Sequence, residues 1–387
     1  MAALFGSYPS IGKRRNKMMR RDFLQVLEHD LSSLPVQARE EALAFFTEYL
    51  AEVGESSDAL AELGDPHQVA QDLLSEMKAQ GIPMEMREVM VLEDSKVVVT
   101  KKVSVFLEDI DLIIREADVT QLTLDYPSNL STFLQIEQGD EQFSIKQVKP
   151  RPKQNFSFLN LVTNKVPDFL LHKLTLLVPK GLTLTDLTIH LVSSDASLEG
   201  LEVKTCQLTL TNGDLRARAL FAEQLSGFLA NGDISFLNCH FQDLKLELTN
   251  GDMSWQESQS ANTHLICYNG DIGLTNGTYS NQLIIDNQNG DTHIHQSQLC
   301  QVEMRLANGD VALENSTFER MLLEMACGNA DVRLLPRDQT EVTIDVTTDF
   351  GNCHIFGQQS TSCHYYHEGT HPRQLLITNA FGNITLS

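Results

Sequence analysis

The sequence contains no stretch approaching the 18 or more apolar residues that a membrane-spanning helix requires. Cations are scarce: 29 lysines and arginines stand against 52 aspartates and glutamates, a formal net charge of −23. A surface that acidic repels phosphate backbones and anionic lipid, so nucleic acid and bare membrane are poor partners. Familiar catalytic spacings are missing too. There is no P-loop, G-x-G-x-x-G, G-x-S-x-G or H-E-x-x-H, and the seven cysteines form no C-x-x-C pair. What remains is ordinary globular material, 42% hydrophobic and 21% charged. At 387 residues it is enough for two or three domains.

The cysteine count is odd and the thiols are scattered, which suits a reducing compartment. A secretory signal places its charges ahead of an apolar run. Here Leu4 and Phe5 precede Lys13, Arg14, Arg15 and Lys17, with Gly6, Pro9 and Gly12 between. Residues 1–17 are therefore expected to be a disordered basic tail. The expected location is the cytoplasm, with the cell surface, reached by a non-classical route, as the alternative.

From residue 18 to 80 the apolar spacing is helical. Phe23, Leu24, Leu27, Leu31 and Leu34 recur at three- and four-residue steps. Pro35 suits the opening of a second helix with Ala38, Ala42, Phe45, Phe46, Tyr49 and Leu50 on its apolar face, stopping near Gly54. A short piece from Ser57 to Leu63 follows. Asp65-Pro66 then supplies an N-cap carboxylate and a first-turn proline for a last helix. Thirteen acidic residues against four basic ones make this a solvated small bundle or a docking module for a basic partner. Glu40, Glu41 and Glu48 are the candidate contact residues. Residues 81–96 read as a linker.

The rest is dominated by a repeat. Asn-Gly-Asp begins at Asn212, Asn231, Asn250, Asn269, Asn289 and Asn308, in steps of 19, 19, 19, 20 and 19. A degenerate copy, Ser193-Ser194-Asp195, lies 19 residues before the first, and Cys327-Gly328-Asn329-Ala330-Asp331 follows the last. Looser copies are Phe350-Gly351-Asn352 and Phe381-Gly382-Asn383. Apolar residues alternate on both sides of the turn, as in Phe241, Leu244, Leu246, Leu248 before it and Met253, Trp255 after. Each unit is thus expected to hold two short strands. The extra residue of the 20-residue step lies between Tyr279 and Leu283, in the connection opposite Asn-Gly-Asp.

Two folds compete. Asn-Gly between alternating strands is a strong hairpin signal and would give an antiparallel meander. A single-stack parallel β-solenoid makes each unit one coil and alone demands a near-constant length. The expectation is therefore α+β in two parts, a small helical bundle followed by a mainly-β solenoid over 97–387. Its coils are irregular over 97–183, regular over 184–335 and looser over 336–387. Glycine in the turn permits a left-handed conformation, the asparagines can form a hydrogen-bonded ladder, and Trp255 points inward.

A solenoid would bring Asp195, Asp214, Asp233, Asp252, Asp271, Asp291, Asp310 and Asp331 into one column about 4.8 Å apart. Neighbouring carboxylates then repel by about 1 kcal/mol even in water. Either each accepts backbone N–H bonds in its turn or the column is a string of weak Ca²⁺ sites. Cys353-His354, Cys363-His364, His367 and His371 gather near the C-terminus, but their spacings fit no zinc finger. No catalytic set, metal site or cofactor is expected.

Two resemblances accompany these residues. Arg21-Asp22-Phe23-Leu24, Leu34-Pro35, Arg39-Glu40-Glu41 and above all Leu63-Gly64-Asp65-Pro66 resemble the HAAS-type helical signalling domain of bacterial, mostly Gram-positive, proteins. That likeness implies a PadR-type transcription regulator as partner. Ile110-Asp111-Leu112-Ile113-Ile114, Leu177-Val178-Pro179-Lys180-Gly181 and the Asn-Gly-Asp turns resemble the bacterial "putative-adhesin" β-strand-repeat family, a domain of unknown function. That likeness implies envelope-stress responses or adhesion. Together they give the expectation of a non-catalytic protein-interaction scaffold whose partner is another protein. A surface adhesin or cell-wall binder is the alternative, and a carbohydrate-active solenoid enzyme a third reading.

Overall fold

The computed structural model describes residues 20–31, 43, 46–47, 65–71, 87–91, 102–127, 130–139, 141–150, 173–336, 338–361 and 363–387. The chain divides into two compact units, residues 1–86 with 153–171 and residues 87–152 with 172–387.

In the first unit a helix, Arg20–Asp30, buries Phe23 and Leu27, with Leu31 buried just beyond its end. Asp65 does cap a helical stretch, residues 66–71. Its Oδ1 accepts the His67 N–H at 3.0 Å, and its carbonyl accepts the Val69 N–H at 3.0 Å. The rest of the expected second helix and the Ser57–Leu63 piece lie outside the described residues, apart from helical positions 43, 46 and 47. His67 Nδ1 meets Asp30 Oδ2, and that hydrogen bond, followed by the carboxylate's charge, raises the imidazole pKa above its ordinary 6.5. A raised pKa stabilises the fold while the histidine is protonated and ceases to do so as pH rises through the folded value. The expected outcome is a small loss of helix stability as pH rises from below 6.5 through the raised folded-state value. Thermal unfolding followed at 222 nm would register it, and His67→Gln should remove the difference.

The second unit is a stack of coils, each with one long and one short strand. Glu202–Asn212 leads through the Asn-Gly-Asp turn into Leu215–Arg218, and Phe221–Asn231 starts the next coil. The meander is excluded, because like pairs with like in parallel: Leu208 with Gly227, Asn212 with Asn231, Ala217 with Phe236. The short strands belong to a sheet of 15 strands and the long ones to a sheet of 14. One continuous core fills the space between, including Leu187, Leu210, Leu246, Ile285 and Leu313.

Three expectations change in detail. One strand of each unit is not short: it runs 11 residues in most of the regular coils, 12 in Thr278–Asn289 and 8 in Arg320–Cys327. The additional residue of the 20-residue step is a bulge inside the long strand Thr278–Asn289, where register shifts between Tyr279 and Gln282, and not part of a connection. A strand, Arg87–Val91, occupies part of the stretch read as a linker.

Coil order departs from chain order at the C-terminal end. The coil made of Gln374–Phe381 and Ile384–Leu386 sits between Arg320–Cys327/Ala330–Arg333 and Thr343–Phe350/Asn352–Ile355. The parallel run finishes in antiparallel strands at all four sheet ends. Arg87–Val91 pairs with Thr123–Pro127, and Leu134–Gln138 with Gln142–Gln147. At the other end Gln358–Thr361 pairs with Asn352–Ile355, and His364–His367 with Thr343–Phe350.

Candidate functional site

The polar turn is built by close approach of backbones. Gly213, Gly232, Gly251, Gly270, Gly290 and Gly309 have φ between +132° and +152°. A Cβ at any of them would lie 1.8–2.2 Å from the carbonyl oxygen of the preceding coil's turn. Glycine is thus required by the neighbouring coil as well as by its own dihedral.

The asparagines flanking these glycines form a ladder. Asn231 Nδ2 donates to Asn212 Oδ1 at 2.9 Å, Asn250 to Asn231 at 2.9 Å and Asn269 to Asn250 at 3.0 Å. Asn289 and Asn308 continue it at 3.0 and 3.1 Å. Each amide of Asn231, Asn250 and Asn269 also donates to a carbonyl one coil back, at 3.2–3.3 Å.

The aspartates form a second ladder, and their hydrogen bonds cross between coils instead of closing within one turn. Asp195 Oδ1 accepts the Asp214 N–H at 2.9 Å, Asp214 that of Asp233 at 3.0 Å and Asp233 that of Asp252 at 2.9 Å. Asp252, Asp271 and Asp291 accept from Asp271, Asp291 and Asp310 at 2.8, 2.7 and 2.8 Å. A hydrogen bond to a charged acceptor contributes about 1.5–3 kcal/mol, more than the about 1 kcal/mol of repulsion between neighbours. Arg216 adds a cation at one end, 2.8 Å from Asp214 and 3.8 Å from Asp195.

Asp331 is not in this column. It pairs with Ala312 in the strand Ala330–Arg333 and meets Arg333 at 2.9 Å. The place two residues after Cys327 belongs to Asn329, whose N–H and Nδ2 donate to Asp310 Oδ1 at 2.7 and 3.1 Å. Asn383 then donates to Asn329, and Asn352 to Asn383, in the order of the stack. At the other end Asp111, which repeat counting does not reach, accepts the Asp195 N–H at 3.0 Å. Glu40, Glu41 and Glu48 lie outside the described residues.

The cysteines are not all unpaired. Cys353 and Cys363, ten residues apart, form a disulfide that ties the last coil to the strand hairpin beyond it. Neighbouring His364 bonds Asp345 at 2.9 Å. Among the described residues no group of three or more His, Cys, Asp or Glu side chains could hold a metal ion. Cys206, Cys239 and Cys267 are buried, and desolvation pushes the Cys206 thiol up to about 12 and that of Cys267 up to about 11. Only the thiolate reacts, so in native protein Cys327, which is exposed, should alkylate readily while these three wait for unfolding. Mass mapping after brief iodoacetamide treatment checks this, and early labelling of Cys206 would contradict the packed core.

The Toastrack DUF4097 family matches residues 100–287 and 268–387, most of the chain and all of the regular coils. The chain belongs to the Toastrack DUF4097 family. The HAAS family matches residues 22–72, over the capped helical segment. No curated protein matches the sequence. Among solved structures, a "putative cell adhesion protein" of Clostridium sporogenes is 11% identical, with 78% of this chain and 98% of that one covered and a TM-score of 0.21. A "putative adhesin" of Bacteroides fragilis is 12% identical, at 78% and 96% coverage and a TM-score of 0.30. A "putative lipid binding protein" of Parabacteroides distasonis is 12% identical, at 78% and 96% coverage and 0.26. In this chain the HAAS match precedes the Toastrack coils, and among the described residues no helix is long and apolar enough to cross a membrane.

Proposed function

We propose that this Toastrack protein is a non-catalytic interaction scaffold. The observation that carries the reading is that the Oδ1 atoms of the aspartate column and the side-chain amides of the asparagine column are hydrogen-bonded from coil to coil. The asparagine and aspartate ladders serve coil stacking, with the aspartate column as a structural acceptor ladder instead of a calcium site. The sheet exteriors and the HAAS segment are then the surfaces left for a partner. In the finer form of the reading the HAAS segment meets a PadR-type regulator or an envelope-stress component in the cytoplasm, through acidic residues such as Glu40, Glu41 and Glu48.

A second reading, a surface adhesin or cell-wall binder, is favoured by the Cys353–Cys363 disulfide, since such bonds persist in oxidising surroundings. The regulator reading is tested by two-hybrid assay of the full chain against the PadR-type regulators of its own genome. It expects a signal that is lost with Glu40→Lys/Glu41→Lys/Glu48→Lys. No signal with any regulator overturns it. Protease shaving of intact cells decides location: degradation of the protein would favour the adhesin.

A further inference from the structure

One flank of the solenoid carries features that the fold does not require. The long strands bend there, since Val203 and Cys206 are both buried with two residues between them, breaking the two-residue alternation. Along the bend Thr183, Glu202, Phe221, His240, Gln259 and Thr278 are register partners on successive coils. Five steps of about 4.8 Å make this row about 24 Å long. Every other member is polar, yet Phe221 is 52% exposed. One ring face stacks on His240 at 4.3 Å and 6°. An exposed phenylalanine adds nothing to the core, and any of the polar residues of its row would serve the coil as well.

Two depressions, each of about 360 Å³, adjoin at this ring and share Phe221 and Glu202. They are within the size range of small-molecule sites. In the row just inside, Leu184, Val203, Ala222, Phe241, Ser260 and Tyr279 are register partners, and Ala222 and Ser260 are small beside Leu184, Phe241 and Tyr279, which leaves room on either side of Phe241. The lining holds the carboxylates Glu116, Glu202 and Glu223 and the amides Gln242 and Gln259, with no lysine or arginine. Glu116 Oε1 already accepts the Gly181 N–H at 2.9 Å, and exposed Lys204 is across from Glu223 in the register, which leaves Glu202, between Thr183 and Phe221, as the carboxylate with no lysine or arginine across from it.

The lack of cations rules against phosphorylated or carboxylated ligands, and the carboxylates favour one carrying ammonium or hydroxyl donors. A strand-like peptide would need free backbone groups to pair with. Here the Phe221, His240 and Gln259 N–H groups are donated to Leu201, Leu220 and Cys239 carbonyls at 2.8 Å each. We infer that this flank binds an extended amino-sugar oligosaccharide, a hexosamine chain with free amines. A pyranose C–H face packs on the uncovered face of Phe221, an ammonium group pairs with Glu202, and hydroxyls meet Gln242 and Gln259. The inference is independent of the regulator reading.

The test is calorimetric titration of the full chain with the glucosamine tetramer, the N-acetylglucosamine tetramer and tetralysine. The glucosamine tetramer is expected to bind at least about tenfold more tightly than its acetylated form, a difference of about 1.4 kcal/mol. Phe221→Ala and Glu202→Gln should each weaken it by about tenfold or more, with circular dichroism unchanged because both side chains are at the surface. Glu368→Gln, an exposed carboxylate in neither depression, should leave it alone. Absence of binding would overturn the inference. So would equal weakening by Glu368→Gln, or full competition by tetralysine, either of which would mean that general surface acidity is at work.

Discussion

Gly270→Ala is expected to destabilise the solenoid by about 3–5 kcal/mol, a loss of the size left by strained dihedrals combined with a steric clash. Gly270 has φ +152°, and an added Cβ would lie 1.8 Å from the Gly251 carbonyl oxygen and 2.6 Å from its carbon. The coils cannot part to make room cheaply. The Gly270 N–H donates to Asn289 at 2.9 Å and the Gly251 N–H to Asn269 at 3.0 Å, so a shift breaks the turn on both sides. In a stack where each coil touches only its neighbours, a central lesion separates two halves. Gly181→Ala is the control: its φ is +73° with nothing within 4 Å of the added carbon, and it should cost only about 1 kcal/mol. Urea unfolding of both variants gives the comparison. Equal midpoints would mean that the turns are not in contact.

Trp255→Ala should cost about 3–5 kcal/mol, the range for removing a large aromatic from a core. Trp255 is 1% exposed, with Phe236, Phe241 and Tyr279 rings at 5.2, 6.1 and 6.2 Å. Those rings come from three coils, so the void would loosen successive layers. Its indole Nε1 is buried with no hydrogen-bond partner. Trp255→Phe, which removes that unpaired donor along with part of the ring, should therefore cost well under half as much as alanine. Thermal unfolding of the two variants measures the difference; similar losses would mean that the nitrogen is not a burden.

The coil was legible because its cause is local and repeated: a fixed period, glycine where backbones touch, and apolar residues at set distances from Asn212, Asn231 and their counterparts. The second corner of each coil was harder to see. It falls at Ala219, Asn238, Glu257, Asn276, Gln296 and Asn315, all with φ near +50°. With Gly200 at the same place, glycine or asparagine holds four of seven positions, a signal too diluted by alanine, glutamate and glutamine to stand out. Stacking order was hidden for a different reason. Phe381-Gly382-Asn383 is a good turn by composition, and composition says which segments can be coils, not which neighbour each one chooses. Only the lengthened spacing after Cys327 marks the place where order changes. Assigning Asp331 to the column followed the residue type, whereas the register favours Asn329. The room beside Phe221 depends on the sizes of Ala222 and Ser260 relative to neighbours that only the register identifies.

That the aspartate column is a structural ladder is most directly tested by the melting temperature of the protein in EDTA and in millimolar Ca²⁺, with Asp252→Asn alongside. An acceptor ladder needs only the Oδ1 that asparagine also has, as where Asn329 Oδ1 accepts the Asn383 N–H and Asn383 Oδ1 that of Asn352. The account predicts no shift with calcium, and an Asp252→Asn variant as stable as the parent or slightly more so, since one repulsive pair on each side is relieved. A melting temperature that rises with calcium and loses that rise in Asp252→Asn would contradict it and make the column a cation site.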